Sequence, residues 1–400
     1  MIEAYICDAV RTPIGRFGGA LSSVRTDDLA TIPIAALLRR NPQVDPREVD
    51  DVFLGCANQA GEDNRNIARM AALLGGLPVS TPGVTINRLC ASGADAVGTA
   101  ARAVIAGQLD LAIAGGVESM TRAPYIMAKG NKPFSRTMQL EDTVVGWRLV
   151  NPRMQALYRT ASMPETGENV AERYHVTRDE QDTYALQSQK RVAEAQANGY
   201  FAEEIEPVRI FGKKQDIFVT VDEHPRPETT LDALKRLPPV VRPEGTVTAG
   251  NASGINDGAA AMFVASAAAA KRYGLTPRGR ILGMASAGVE PDFMGIGPVP
   301  ASRKLMARLD LSIKDFGLIE INEAFASQVI ASMRELGVDP AAPHLNPHGG
   351  AIALGHPLGM SGARLAMTAV RGLHETGAQR ALVTMCVGVG QGLALAVERV

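Results

Sequence analysis

The tripeptide Ser-Gly-Ala occurs at 92–94 and again at 361–363. Its surroundings repeat with it. At the same offset Thr99-Ala100 matches Thr368-Ala369, and Arg102 matches Arg371. Each copy follows a polar turn, and a helical stretch then leads to an apolar run, Leu109 to Ala114 or Ala381 to Cys386. Ala-rich helices can resemble one another by chance. The recurring order strand, polar turn, helix, strand instead implies two similar α/β halves, with their two Ser-Gly-Ala helices together at a shared centre.

The rest of the chain fits that division. Apolar runs at Glu3 to Val10, Val49 to Gly55 and Val84 to Leu89 read as strands. Helical patterns cover Thr26 to Arg40, Asn64 to Leu74 and Ser92 to Ala106, with Thr26 and Asp27 as candidate N-caps. Such alternation implies a parallel sheet covered on both faces. Residues 120–246 differ, being charged and interrupted by proline. Their one clear helix, Thr177 to Asn198, opens on a T-R-D-E capping box. This segment is either an insertion with little core of its own or a lid over a site. The alternation returns at Val247. Strands are expected at Arg280 to Gly288, Leu318 to Asn322, Ala381 to Val387 and Leu393 to Glu398. Helices are expected at Glu323 to Leu336 and Ser361 to His374. The expected division is 1–119 completed by about 247–275, an inserted loop domain at 120–246, and a second half at 276–400.

Composition excludes several classes. Apolar residues at 46% and charged residues at 21% rule out a disordered chain or a coiled coil. Forty-one basic against 42 acidic residues leave no electrostatic footprint for nucleic acid or an anionic membrane. Neither a secretory signal nor an apolar span is visible. Four cysteines, Cys7, Cys56, Cys90 and Cys386, lack any C-x-x-C spacing and point to a reducing compartment, with the cytoplasm expected.

Cys90 stands between a strand and a Ser-Gly-Ala helix. A helix N-terminus lowers a thiol pKa, and the thiolate is the nucleophile. An inert buried cysteine is the other reading. His356, between Gly355 and Pro357, can act as the general base that makes a thiolate, or can cap a helix. Cys386, taken alone, reads as core, but the N–H groups around Gly388 and Gly390 could hold an oxyanion. Asn322 can fix a water or donate to an oxyanion, or simply cap the helix that follows. Zinc held by Cys90, Cys386 and His356 is a rival, disfavoured by the small flanking residues; no metal is expected.

Five stretches together resemble the thiolase family: N-R-L-C-A-S-G at 87–93, G-N-A-S-G-I-N-D-G-A-A-A at 250–261, N-E-A-F at 322–325, G-H-P-L-G at 355–359 and C-V-G-V-G at 386–390. They occur in this order across the whole chain. The resemblance implies an α/β thiolase fold. Two similar halves, each with a mixed sheet, would stack about shared central helices, with an inserted loop domain. It also implies roles. Cys90 would attack the keto carbon of a 3-oxoacyl-CoA, Cys386 would protonate the departing enolate, and His356 would help deprotonate the incoming CoA. Asn322 would hold a water that, with His356, faces one oxyanion. The N–H groups of Cys90 and Gly388 would face the other. Coenzyme A would be a co-substrate, with no permanently bound cofactor. Ser253 would meet its pantetheine arm, Arg226 its nucleotide, and Met163 and Phe325 the apolar wall. A homodimer or homotetramer is implied.

C-A-N-Q-A-G-E-D-N-R-N at 56–66, S-M-P-E-T at 162–166 and D-E-H-P-R-P at 222–227 narrow the resemblance to thiolases of aromatic catabolism that cleave 3-oxoadipyl-CoA. A substrate ending in a carboxylate should meet a cation, and the sequence does not say which basic residue supplies it. His348 stands where many thiolases have asparagine, which questions a hydrogen bond near His356. The alternatives are a general 3-ketoacyl-CoA or acetoacetyl-CoA thiolase and a non-catalytic acyl-CoA-binding scaffold.

Overall fold

A computed structural model describes residues 2–130 and 132–400. Nine strands form the body of one large mixed sheet. We number them β1 (Ala4–Arg11), β2 (Asp51–Gly55), β3 (Val84–Ile86), β4 (Leu111–Ser119), β5 (Asn256–Ser266), β6 (Gly279–Gly288), β7 (Leu318–Ile321), β8 (Arg380–Val387) and β9 (Gln391–Arg399). Their order across the sheet is β7-β8-β9-β6-β1-β5-β4-β2-β3.

The sheet carries the repeat. In one half β1, β5 and β4 pair antiparallel, and β4, β2 and β3 pair parallel. In the other β6, β9 and β8 pair antiparallel, and β8 and β7 pair parallel. The halves join where Tyr5 meets Arg280 and Ile6 meets Gly279. An all-parallel sheet is therefore incorrect. β9 returns from β8 through a tight hairpin, and β5 arrives only after the long insertion, so each half gains antiparallel neighbours. A hairpin admits only antiparallel pairing.

The two Ser-Gly-Ala helices cross at the centre. The first spans Ser92–Ile105 and the second Leu358–Thr376. A Cβ on Gly93 would lie 2.5 Å from the Gly359 carbonyl oxygen, and one on Gly362 would collide with the Ala94 amide. Backbone therefore packs on backbone, which explains why the repeated tripeptide carries its glycine. The second helix begins three residues earlier than expected, at Leu358, with Pro357 as its N-cap and the Pro357 carbonyl accepting from the Ser361 amide at 2.9 Å. The helix after β7 begins three residues late, at Ala326, so Asn322 is not its cap. Thr26 and Asp27 lie within the first helix rather than at its cap, which is Arg25.

The inserted segment packs on both halves. Val192, Ala195, Tyr200 and Phe201 join the core around the first Ser-Gly-Ala helix, whereas Tyr184 and Ala185 join the core of the second half. Its helices include Met163–Arg173 and Arg178–Ala197, the latter with the Thr177–Glu180 capping box. Among the described residues no helix is long and apolar enough to cross a membrane.

Candidate active site

Cys90 sits in a short 3-10 turn, Leu89–Ala91, after β3 has ended. Leu89 is forced to a φ of 45° there, a conformation that costs a non-glycine residue roughly 1–3 kcal/mol. Neighbours hold the turn. Asn87 Oδ1 accepts from the Leu89 amide at 2.9 Å, and Ser92 Oγ accepts from the Arg88 amide at 2.9 Å. Arg88 then spans the halves, reaching Asp95 at 2.6 Å and Gln391 at 3.0 Å.

The β8–β9 hairpin presses on that turn. Its apex runs through left-handed backbone, which strains Val389 at a φ of 62° and suits Gly390 at 76°. The Gly388 amide points at the Cys90 thiol, as does the amide of Cys90 itself. Both favour a thiolate. Burial outweighs them and pushes the Cys90 thiol up to about 11. Cys386, at the end of β8, is fully buried, and burial together with the neighbouring Cys90 raises its thiol well above the ordinary range. The helix N-terminus therefore does not leave Cys90 ionised at rest. Ionisation needs a base.

His356 is a basic side chain whose tautomer the hydrogen bonds define. Gly355, at a φ of 101°, turns the chain over Asn256, and the His356 amide donates to Asn256 Oδ1 at 3.0 Å. Nδ1 of His356 lies 2.6 Å from Ser361 Oγ, which donates its own proton to the Pro357 carbonyl at 2.8 Å. The ring nitrogen must then be the donor, so the proton is assigned to Nδ1 and the lone pair to Nε2. Asn322 Nδ2 donates to Nε2 at 3.3 Å. Burial first, and the Arg364 charge second, hold the imidazole neutral down to about 3.

Asn322 caps the end of β7. Its amide reaches the Thr384 carbonyl at 3.0 Å, and its buried Oδ1 has no protein partner. Glu323 beside it accepts from Tyr184, Ser188, Asn346 and the Ile352 amide, which ties this corner to the loop before His356. Met163 and Phe325 pack in one apolar cluster with Cys386, Val247, Met294 and Ala324. The Ser253 amide donates to the Ala324 carbonyl at 2.9 Å, which seats that loop against the cluster. Arg226 is exposed, and its backbone is fixed by Gln189 at 2.9 Å. His348 bonds Glu375 at 2.8 Å and stacks on Tyr200 with centroids 3.6 Å apart. Its recorded partners do not include His356.

Sequence reading missed Glu118. Its fully buried carboxylate accepts from the amides of Ala57, Asn58 and Gly359 at 2.9–3.0 Å, which binds the loop after β2 to the second Ser-Gly-Ala helix. Burial raises its carboxyl to about 7. A lone acid inside an apolar strand was the available signal. Among the described residues, Cys56, Asp63 and Glu118 are the group with metal-ligand spacing. The carboxylates of Asp63 and Glu118 are already occupied by backbone amides.

Two family models match, the thiolase N-terminal domain over residues 4–268 and the thiolase C-terminal domain over 275–399. The chain belongs to the thiolase family of acyltransferases. It is 65% identical to a beta-ketoadipyl-CoA thiolase of Pseudomonas aeruginosa, over 100% of this chain and 99% of that protein. It is 60% identical to a 3-oxoadipyl-CoA/3-oxo-5,6-dehydrosuberyl-CoA thiolase of Escherichia coli, over the whole of both chains. Its fold matches the crystal structure of Bacillus anthracis acetyl-CoA acetyltransferase with a TM-score of 0.93 at 39% identity, covering 100% and 99% of the two chains. Human mitochondrial 3-ketoacyl-CoA thiolase matches with a TM-score of 0.91 at 40% identity and the same coverage. The thiolase fold expected from the five motifs is thus present.

Proposed function

We propose that this thiolase cleaves 3-oxoadipyl-CoA with free CoA, giving succinyl-CoA and acetyl-CoA, and serves aromatic catabolism in the cytoplasm. What supports the chemistry is Cys386 lying beside Cys90, whose thiol the Gly388 amide faces, and Asn322 bonding His356 Nε2 at 3.3 Å. The names of the relatives carry the substrate.

His356 Nε2 takes the Cys90 proton, and the thiolate attacks the 3-keto carbon. The resulting oxyanion faces the amides of Cys90 and Gly388. The bond between the second and third carbons breaks, and acetyl-CoA leaves as an enolate whose oxygen faces His356 and a water held by Asn322 and whose carbon takes a proton from Cys386. The acyl group now rests on Cys90, its thioester oxygen towards the amides of Cys90 and Gly388. His356 passes the Cys90 proton on to the Cys386 thiolate and, neutral again, takes the thiol proton of a second CoA, which attacks the acyl carbon. The succinyl group leaves on CoA and Cys90 regains its thiolate. Covalent catalysis here replaces one carbon–carbon cleavage by two easier transfers.

Ser253 serves the pantetheine arm, Arg226 the nucleotide end, and Met163 with Phe325 the apolar wall. Residues 120–246 act as the inserted loop domain between the halves 1–119, completed by 247–275, and 276–400. Exposed Tyr125, Met127, Met138 and Leu140 support assembly into a homodimer or homotetramer. Thiolysis kinetics test the reading. A kcat/KM for 3-oxoadipyl-CoA more than about tenfold above those for acetoacetyl-CoA and a medium-chain 3-oxoacyl-CoA is expected. Equal values would reassign the enzyme to general 3-oxoacyl-CoA degradation.

A further inference from the structure

The proposed substrate has a carboxylate three carbons beyond the carbonyl that Cys90 attacks. An anion entering a half-buried pocket needs a cation with free donors. Four arginines between 120 and 246 are half-buried: Arg122, Arg148, Arg178 and Arg191. Arg122 is spent on Glu62 and Arg178 on Asp182. Arg191 uses both terminal nitrogens on the carbonyls of Ala342, Leu345 and Asn346. Arg148 differs. Its one recorded bond runs from Nη2 to the Asn58 carbonyl at 3.2 Å, and among the described residues it has no carboxylate partner.

Its anchors lead back to the thiol. Asn58 follows Ala57, whose carbonyl accepts from Asn87 Nδ2 at 3.0 Å, and Asn87 Oδ1 holds the Leu89 amide beside Cys90. Trp147, next to Arg148, donates from Nε1 to the Ala161 carbonyl at 3.2 Å. Two residues on, Met163 borders Gly388. Arg148 is therefore pinned between the loop behind Cys90 and the strand of chain that brings Met163 to the acyl wall.

We propose that Arg148 binds the terminal carboxylate of the acyl group and sets the preference for dicarboxylic substrates. This rests on the 3-oxoadipyl-CoA reading above. Nη1, Nε and the second hydrogen of Nη2 remain for a two-pronged grip on the carboxylate, while the Asn58 carbonyl orients the guanidinium.

The readout is the ratio of kcat/KM for 3-oxoadipyl-CoA to that for 3-oxohexanoyl-CoA, which has the same length and no charge. Arg148→Gln should lower this ratio about 10-fold to 100-fold, the range of a charged hydrogen bond. Arg148→Lys, which keeps the charge and loses the fork, should fall between. A wild-type preference that survives Arg148→Gln overturns the role of Arg148 and leaves the substrate reading standing. No preference in the wild type overturns both. A second measurement needs no variant. Modification of arginines by phenylglyoxal, mapped by mass spectrometry, should spare Arg148 in the presence of succinyl-CoA and not acetyl-CoA. Equal protection by the two contradicts the assignment.

Discussion

Ser361 Oγ lies 2.6 Å from His356 Nδ1, and the hydroxyl donates its own hydrogen bond to the Pro357 carbonyl one turn back. The second Ser-Gly-Ala helix thus contributes more than a close crossing. Its serine decides which imidazole nitrogen carries the proton.

Ser361→Ala removes that decision. The Nδ1 proton would lose its acceptor, and the lone pair would no longer be reserved for the nitrogen facing Asn322. A fall in kcat of about 10-fold to 100-fold is expected, less than the roughly 10²–10⁴-fold that general-base catalysis contributes as a whole, because His356 itself remains. Unchanged thiolysis in a folded protein would show that the Nδ1 contact is incidental.

Gly93→Ala tests the crossing itself. The new methyl would sit 2.5 Å from the Gly359 carbonyl oxygen, a backbone atom that cannot rotate aside. Overpacking of this kind costs about 1–3 kcal/mol. Thermal unfolding should show a lowered Tm, and an unaltered Tm would mean that the helices can slide apart freely.

The Cys90 thiol is raised to about 11 by burial. With His356 neutral, most of the free enzyme at neutral pH carries a thiol. Inactivation by iodoacetamide should accelerate about tenfold per pH unit between pH 7 and 10, since only the thiolate reacts. A rate that levels off by pH 8 would contradict this.

His356 shapes the acid side of the stability curve. Its folded pKa of about 3 lies below the unfolded value near 6.5. Between those values the unfolded chain binds the extra proton. Stability from this group is therefore complete above about pH 6.5 and is lost as pH falls towards 3. In His356→Asn the loss of Tm from pH 6.5 to 4 should be shallower than in the wild type. An identical slope would place the acid sensitivity elsewhere.

Much of this was legible beforehand because local chemistry agreed with the final fold. The Ser-Gly-Ala repeat, the Thr177–Glu180 capping box and the apolar runs of β4, β5, β8 and β9 signal themselves within a few residues. Cys90, His356 and Cys386 stand at strand or helix ends, where glycine makes them conspicuous. Other features depend on partners distant in sequence. Glu118 is explained only by amides at 57, 58 and 359. Asn322 looks like a helix cap until Phe325 proves to precede the helix. The helix Pro298–Leu309 is masked in sequence by prolines at 298 and 300, which suggest a loop although a first turn tolerates them. Arg148 is ordinary in sequence and becomes distinctive only when the carboxylate partners of its neighbours are known.

The central claim is that Cys90 carries the acyl group between two CoA molecules. Mass spectrometry of the native protein quenched during incubation with succinyl-CoA tests it most directly. A succinyl adduct on the peptide holding Cys90, removed on adding free CoA and absent in Cys90→Ser, is the predicted result. An adduct on Cys386, or none on any cysteine while thiolysis proceeds, would contradict the account.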